Sequence, residues 1–408
     1  MAITTMAMKR ISYKNIASPK GFKATGIHCG LKHKKKDLAL LVSEVPASVA
    51  GVFTTNAIKA APLLVTKDVV YQTGKMQAII VNAGNANACT GKQGMADAYT
   101  MQKLTAEKLG IDLNLVGVAS TGVIGELMKM DPVTEGIKQL DPVDELEGAM
   151  SFSQAIMTTD TVTKNTSYQT MIDGKEVIVA GTAKGSGMIE PNMATMLGFI
   201  TTDANIESEH LQSALKSITD VTFNAITVDG DTSTNDMVIV MANGMAENET
   251  LTPEHPDWEN FVQTLHIVSQ ELAKMIAKDG EGATKLIEVE VKGAITDAEA
   301  RKIAKTVVGS PLVKTAVFGN DANWGRIIAA VGYSGATLDP NAITIHIGTS
   351  KVVENGEPVA FSEDDLIVYL KQPEVKIFVD IHQGDGQGTA WGCDLTYDYV
   401  QINATYRS

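Results

Sequence analysis

The chain has 408 residues, 44% hydrophobic and 20% charged, which is enough apolar material for a sizeable core and two or three domains and excludes a disordered chain. Thirty-four basic residues stand against 48 acidic ones, a formal net charge of −14, and no long Lys/Arg field offers nucleic acid a basic face. Three scattered cysteines, Cys29, Cys89 and Cys393, form neither a disulfide framework nor a zinc knuckle, the start of the chain has no apolar stretch of signal-peptide length and no apolar run reaches membrane-span length, so a cytoplasmic protein is expected.

In chain order, Lys32-His33-Lys34-Lys35-Lys36 reads as a solvated turn. Residues 37–43 and 49–53 fit short strands joined by a Val45-Pro46-Ala47 turn. Residues 76–82 form a Val/Ile-rich strand that runs into a loop of small polar residues, 82–91. The spacing of 93–109 predicts a helix closed by Gly110. Strands follow at 115–119 and 177–181, with partial helix over 141–157 between them. Helices are expected at 207–218 and 257–277, with a strand at 237–241. A second strand-and-helix series starts near 285–295, with a strand at 286–291 and a helix at 297–308. A polar knot spans 311–330, and strands are expected at 342–347, 366–370, 375–381 and 396–403. The layout is mixed α/β or α+β.

Most familiar catalytic signals are absent. Gly185-Ser186-Gly187 lacks the dinucleotide fingerprint, Gly91-Lys92 does not complete a Walker loop, and the seven histidines are dispersed. Small polar residues instead crowd predicted strand ends at 82–91, 120–125, 184–196 and 229–236. The last, Asp229-Gly230-Asp231-Thr232-Ser233-Thr234-Asn235-Asp236, could hold a cation, form a hydrogen-bonded turn or wall a substrate site, though it lacks calcium-loop spacing. Arg326, in the loop 318–326, could clamp a carboxylate or pair with a nearby Asp. Thr195 lies in a nearly uncharged segment with no base beside it. Freed at its nitrogen it would have one, since an α-amino group titrates near 7.7–8.0 and can accept the hydroxyl proton.

Taken together and in order, six segments make the chain resemble the glutamate N-acetyltransferase / ornithine acetyltransferase family of arginine biosynthesis along essentially its whole length. They are the 82–91 loop, Ser120-Thr121-Gly122-Val123-Ile124-Gly125, Lys184-Gly185-Ser186-Gly187-Met188-Ile189 with Met193-Ala194-Thr195-Met196-Leu197, the 229–236 loop, 319–326, and Ile402-Asn403-Ala404.

The resemblance implies layered sheets and helices of the ornithine acetyltransferase / aminopeptidase type, with a catalytic core over 1–285 and a smaller C-terminal α/β domain over 286–408. It implies self-cleavage between Ala194 and Thr195 into an alpha chain, 1–194, and a beta chain, 195–408, assembled as an α2β2 heterotetramer. Thr195 would be the nucleophile of a ping-pong transfer from N2-acetyl-L-ornithine to L-glutamate. Thr121 and Gly122 would form the oxyanion hole. Thr158 (or its neighbour Thr159), Lys184, Thr195, Glu281, Asn403 and the terminal Ser408 would bind substrate. Serine stands at 408 where the family pattern has threonine, which keeps the hydroxyl. No metal or bound cofactor is implied; acetyl-CoA enters as a second donor in bifunctional members and not in monofunctional ones. An N-terminal-nucleophile amidase or aminopeptidase is the alternative.

Overall fold

Met237-Val238-Ile239-Val240-Met241 has no polar alternation, a pattern that requires cover on both faces of a strand. The computed structural model, which describes residues 8–12, 15–190 and 196–405, supplies that cover. Among the described residues nine strands form one sheet: β1 (Lys9–Arg10), β2 (Phe22–Ile27), β3 (Leu38–Phe53), β4 (Lys75–Asn85), β5 (Val116–Val123), β6 (Lys164–Ile172), β7 (Lys175–Lys184), β8 (Leu197–Thr202) and β9 (Met237–Ala242). The order is β1-β6-β7-β8-β9-β3-β4-β5, with β2 pairing β3. The helices of this part are α1 (Ala61–Thr73), α2 (Gly91–Leu109), α3 (Met130–Gln139), α4 (Leu146–Ala155), α5 (Ser208–Val221) and α6 (Trp258–Lys278).

Alternate residues of one strand enter different cores. Val238 and Val240 of β9, with Ile200 of β8, pack on Leu211 of α5 and on Leu265 and Leu272 of α6. Their neighbours Phe199, Ile239 and Met241 meet Leu41, Ile79 and Val81 from β3 and β4, together with Phe152 of α4. The other face of β4 and β5 packs on α2 and α3 through Ile80, Val118, Met101, Val133 and Ile137. The two ends of the sheet therefore share an inner core, with helices outside, which gives layered α+β architecture.

Residues 45–47 are not a turn. β3 runs through them as one strand of 16 residues, and its register against β4 shifts between Val42 and Ala47. Pro46 has no N–H to donate and sits where the ladder is interrupted. Beyond the irregularity β3 changes neighbour, pairing β2 through its first half and β9 through its second. Gly110 closes α2 as expected, with φ 66° and its N–H on the Ala106 carbonyl.

A second sheet contains β10 (Leu286–Ala294), β11 (Thr344–Ile347), β12 (Ser350–Glu354), β13 (Glu357–Pro358), β14 (Glu374–Asp380) and β15 (Gly386–Cys393), in the order β13-β12-β11-β14-β10-β15. Its helices are α7 (Asp297–Gly309), α8 (Pro311–Phe318), α9 (Trp324–Gly332), α10 (Glu363–Leu370) and α11 (Tyr397–Thr405). Leu286, Trp391 and Cys393 join the core on α6, which ties this sheet to the larger one.

Three sequence expectations change here. The 366–370 run is the end of helix α10, whose Ser362 hydroxyl caps the Asp365 N–H and whose first turn holds three acids. The 396–403 run is helix α11. The 311–330 knot is the two helices α8 and α9, capped by the side chains of Ser310 and Asn323.

Phe152 is fully buried and meets Phe199 edge-on at 5.5 Å between centroids. Phe152→Ala is expected to cost about 3–5 kcal/mol of stability, read from urea unfolding; a loss below about 1 kcal/mol would contradict a shared inner core.

Candidate functional site

β5 and β7 end, and β8 and β9 begin, around a common cavity of about 190 Å³. Its walls include Thr121 and Gly122 of β5, Thr158 and Thr159 after α4, Lys184 at the end of β7, Met196 ahead of β8 and Asp229, Asp231 and Asp236 ahead of β9. Glu281, just past α6, and Tyr399 and Asn403 of α11 complete it. The structure thus brings Thr121, Gly122, Thr158, Lys184, Glu281 and Asn403 together from positions up to 282 residues apart. Ala194, Thr195 and Ser408 lie outside the described residues. Met196, next in sequence to Thr195, faces the cavity, and its carbonyl accepts the Met237 N–H at 2.9 Å.

Thr121–Gly122 is set by a close approach of two backbones. Gly122 has φ +133°, and a Cβ there would lie 2.4 Å from the Gly84 carbonyl carbon, so only glycine fits. Asn85 on β4 pairs with both Thr121 and Val123, a local break in the parallel ladder. The 82–91 loop stabilises this break from behind rather than facing the cavity as a row of asparagines. Asn82 Nδ2 donates to the Asn85 carbonyl at 2.9 Å, Ser120 Oγ donates to Asn82 Oδ1, and Asn235 Nδ2 donates to the Ala86 and Ser120 carbonyls.

Lys184 and Glu281 are buried, 9% and 7% exposed, and so are not the surface charges that their types suggest. Lys184 Nζ lies 3.3 Å from Thr158 Oγ1, and both Thr158 and Thr159 line the cavity. Burial pulls the Lys184 pKa down, and Asp160, Asp236 and Glu281 oppose it. Glu281 lies against Gly187, where a Cβ would come within 2.4 Å of the carboxyl carbon, and Asn403 Nδ2 donates to its Oε2 at 2.7 Å. Asp229 accepts the N–H groups of Met188 and Ile189, at 2.6 and 2.8 Å, and the Tyr399 hydroxyl. The 229–236 loop therefore acts as a wall of the cavity.

Two functional features were not read from sequence. Lys164, 0% exposed, donates to Asp160 Oδ1 and Asp279 Oδ2, each at 2.6 Å. Asp160 also accepts the Gly185 and Thr158 N–H groups, so this buried cluster joins the cavity's segments. Burial would raise the Asp160 pKa, yet Lys164, Lys184 and these hydrogen bonds hold it at about 2. Lys32 is the second. Instead of standing in a solvated turn, its ammonium donates to the Lys36, Ala155 and Met157 carbonyls and so pins the segment leading to Thr158. Burial lowers its pKa to about 8. Among the described residues Arg326 clamps no carboxylate; it donates to the Leu312 carbonyl and the Thr315 hydroxyl, away from the cavity.

With one ammonium among several carboxylates in the described part of its wall, the cavity suits a small ligand carrying amino groups and a carboxylate. Among the described residues, no helix is long and apolar enough to cross a membrane.

Comparison with known proteins adds the following. The model of the ArgJ family matches residues 23–408. The chain is 59% identical over 405 residues to an arginine biosynthesis bifunctional protein ArgJ of Halalkalibacterium halodurans, covering 99% of this chain and 98% of that one. It is 58% identical over 404 residues to the protein of that name from Geobacillus kaustophilus, covering 99% and 98%. A crystal structure of arginine biosynthesis bifunctional protein argJ from Bacillus halodurans matches with 63% identity and a TM-score of 0.51, over 52% of this chain and 100% of that one.

The buried cluster yields a pH signature. Asp160 has its pKa depressed in the folded state, so its contribution is present above about pH 4 and is lost as pH falls towards about 2. Asp160→Asn is expected to cost about 3–5 kcal/mol at neutral pH, with the gap to the parent narrowing by about 2 kcal/mol as the pH falls through that window. Unfolding curves that stay equally separated at both ends would contradict the assignment.

Proposed function

The chain belongs to the ArgJ family, and from that premise we propose that it is a bifunctional acetyltransferase of arginine biosynthesis that carries acetyl from N2-acetyl-L-ornithine to L-glutamate on Thr195. The observation that carries this reading is one cavity lined by Thr121, Gly122, Thr158, Lys184, Glu281 and Asn403, with Met196, the neighbour of Thr195, in its wall. Cleavage of the 194–195 bond frees the α-amino group as general base. The Thr195 hydroxyl gives that amine its proton and attacks the acetyl carbonyl. The tetrahedral oxyanion is received by the Thr121 hydroxyl and the Gly122 N–H, donors of a kind worth about 2.7–4 kcal/mol each. Collapse expels ornithine and leaves acetyl-Thr195; glutamate then reverses the sequence as acceptor.

Both amino acids carry an α-carboxylate, which suits Lys184. Ornithine also carries a δ-ammonium, which suits Glu281, while glutamate's second carboxylate requires water or a shift of Asn403 in the same place. Ser408 is proposed to add a hydroxyl to the substrate contacts. Acetyl-CoA is proposed as a second donor that acylates Thr195 directly, with no bound cofactor. The assembly is an α2β2 heterotetramer in the cytoplasm, with no nucleic-acid or membrane partner. The matched crystal chain lends support to the cut: it spans 52% of this chain, and residues 195–408 are 214 of 408, about 52%.

Intact-mass measurement is expected to find two chains, 1–194 and 195–408, and Thr195→Ala is expected to remain one chain near 43.4 kDa without transferase activity. A processed T195A protein would overturn the mechanism. Thr121→Val is expected to lower kcat about 10²–10³-fold with little change in KM. Glutamate acetylation with acetyl-CoA as sole donor tests bifunctionality; turnover no faster than background would remove that half of the reading.

A further inference from the structure

Asp236 stands out among the cavity's carboxyls. It is 4% exposed, and its Oδ2 is buried with no hydrogen-bond partner among the described residues. Asp229 and Glu281, by contrast, are held by donors from the surrounding chain. A buried carboxyl oxygen left unpaired costs free energy unless it carries a proton or receives a group from a ligand. Asp236 is placed to do either. It lines the cavity and precedes Met237, whose N–H holds the Met196 carbonyl next to the nucleophile. Burial pushes its pKa well above the ordinary carboxyl value, while Lys184 and the Ser233 hydrogen bonds moderate the rise.

We propose that Asp236 contacts the reacting α-nitrogen of the bound amino acid and acts as its proton relay, giving up one proton in the first half-reaction and recovering it in the second. This rests on the acetyltransferase reading, which leaves a proton unaccounted for: amino acids enter and leave as ammonium ions, but react as amines. In the first half-reaction the Thr195 Oγ–acetyl bond forms and the acetyl–nitrogen bond breaks. The hydroxyl proton passes through the Thr195 amine to the leaving nitrogen, which departs as a neutral amine. Asp236, as the acid, then gives it the second proton, so that ornithine leaves as an ammonium and Asp236 is left as the carboxylate. In the second, the glutamate ammonium returns a proton to Asp236, and the free amine attacks acetyl-Thr195. No solvent proton is consumed in the cycle. The charged groups facing Asp236 across the cavity are Lys184 on β7, Asp229 and Asp231 in its own loop, and Glu281 beyond α6. Lys184, the cation among them, favours the carboxylate that persists between the halves.

The test uses the processed enzyme, acetylated with N2-acetyl-L-ornithine and freed of ornithine. Transfer is followed to glutamate and to hydroxylamine, an acceptor already neutral near pH 7. In the parent, the ratio of the glutamate rate to the hydroxylamine rate is expected to stay flat between about pH 7 and 9, because the Thr195 amine serves both acceptors and the extra proton of glutamate moves within the complex. Asp236→Asn is expected to slow glutamate about 10²–10⁴-fold at pH 7, with the glutamate-to-hydroxylamine ratio rising about tenfold per pH unit, and to change hydroxylamine only a few-fold. An unchanged glutamate profile, or an equal loss with both acceptors, overturns the proposal. If D236N gives no acetyl-enzyme, the parent decides, since a rise of about tenfold per unit in its glutamate-to-hydroxylamine ratio also overturns the proposal. A parent that never forms acetyl-enzyme has a different signature: it removes the transferase reading itself, and this proposal with it.

Discussion

The ion cluster of Asp160, Lys164 and Asp279 is what the cavity depends on. Lys164 has no exposure, and removing such an ammonium from water is unfavourable by several kcal/mol unless its partners are well placed. Here both carboxylates lie at 2.6 Å, and each also accepts backbone N–H groups, from Thr158 and Gly185 on one side and from Thr161 on the other. Full satisfaction makes the cluster rigid rather than merely tolerated. One set of short contacts thereby holds the loop that presents Thr158, the strand end that presents Lys184 and the helix end that presents Glu281. Among the described residues Lys184 has no contact ion pair, but the field of Asp160 reaches it from the same cluster and favours its charged form.

Glycine has a specific part in this design. At Gly122 and Gly187 the absence of a side chain lets a strand or a carboxylate approach the backbone to a distance that any Cβ would forbid. Both positions face the cavity. The chain's 35 glycines and few aromatics thus have a partial explanation in the site itself, where main-chain groups rather than large side chains form much of the wall.

What was legible in the sequence was local. The helix that Gly110 closes carries its stop signal within one turn, and the strand at 237–241 carries its double burial in its own composition. Leu366-Ile367-Val368-Tyr369-Leu370 misleads because a short apolar, β-branched run has no resolvable period. The deciding signal was upstream, in the Ser362 cap and the acidic first turn. Tyr397–Thr405 is a helix with no buried residues, so it shows no apolar stripe to read. The crowding of small polar residues at strand ends points to the cavity, but not to the division of labour, in which Asn82 and Asn235 brace the backbone while Lys184 and Glu281 line the cavity. The roles of Thr121 and Asn403 came from family resemblance. Asp160 and Asp279 stayed hidden because 119 positions separate two carboxylates that share one ammonium.

The strand order has a consequence for any cut after residue 194. In β7-β8-β9-β3, two strands from beyond the cut lie between two from before it. Hydrogen bonding joins the segments along both seams, β7 with β8 and β9 with β3, and Asp279 of the later segment shares its lysine with Asp160 of the earlier one. Two polypeptides so dovetailed cannot drift apart on dilution as docked subunits do; separating them means dismantling the sheet. The join is also one-way in practice. An intact chain closes it as an intramolecular event, whereas separated pieces face a second-order search in which a foreign strand pair must enter the middle of a sheet. With such a cut, backbone continuity across residue 194 would be a scaffold for assembly, needed once and then dispensable.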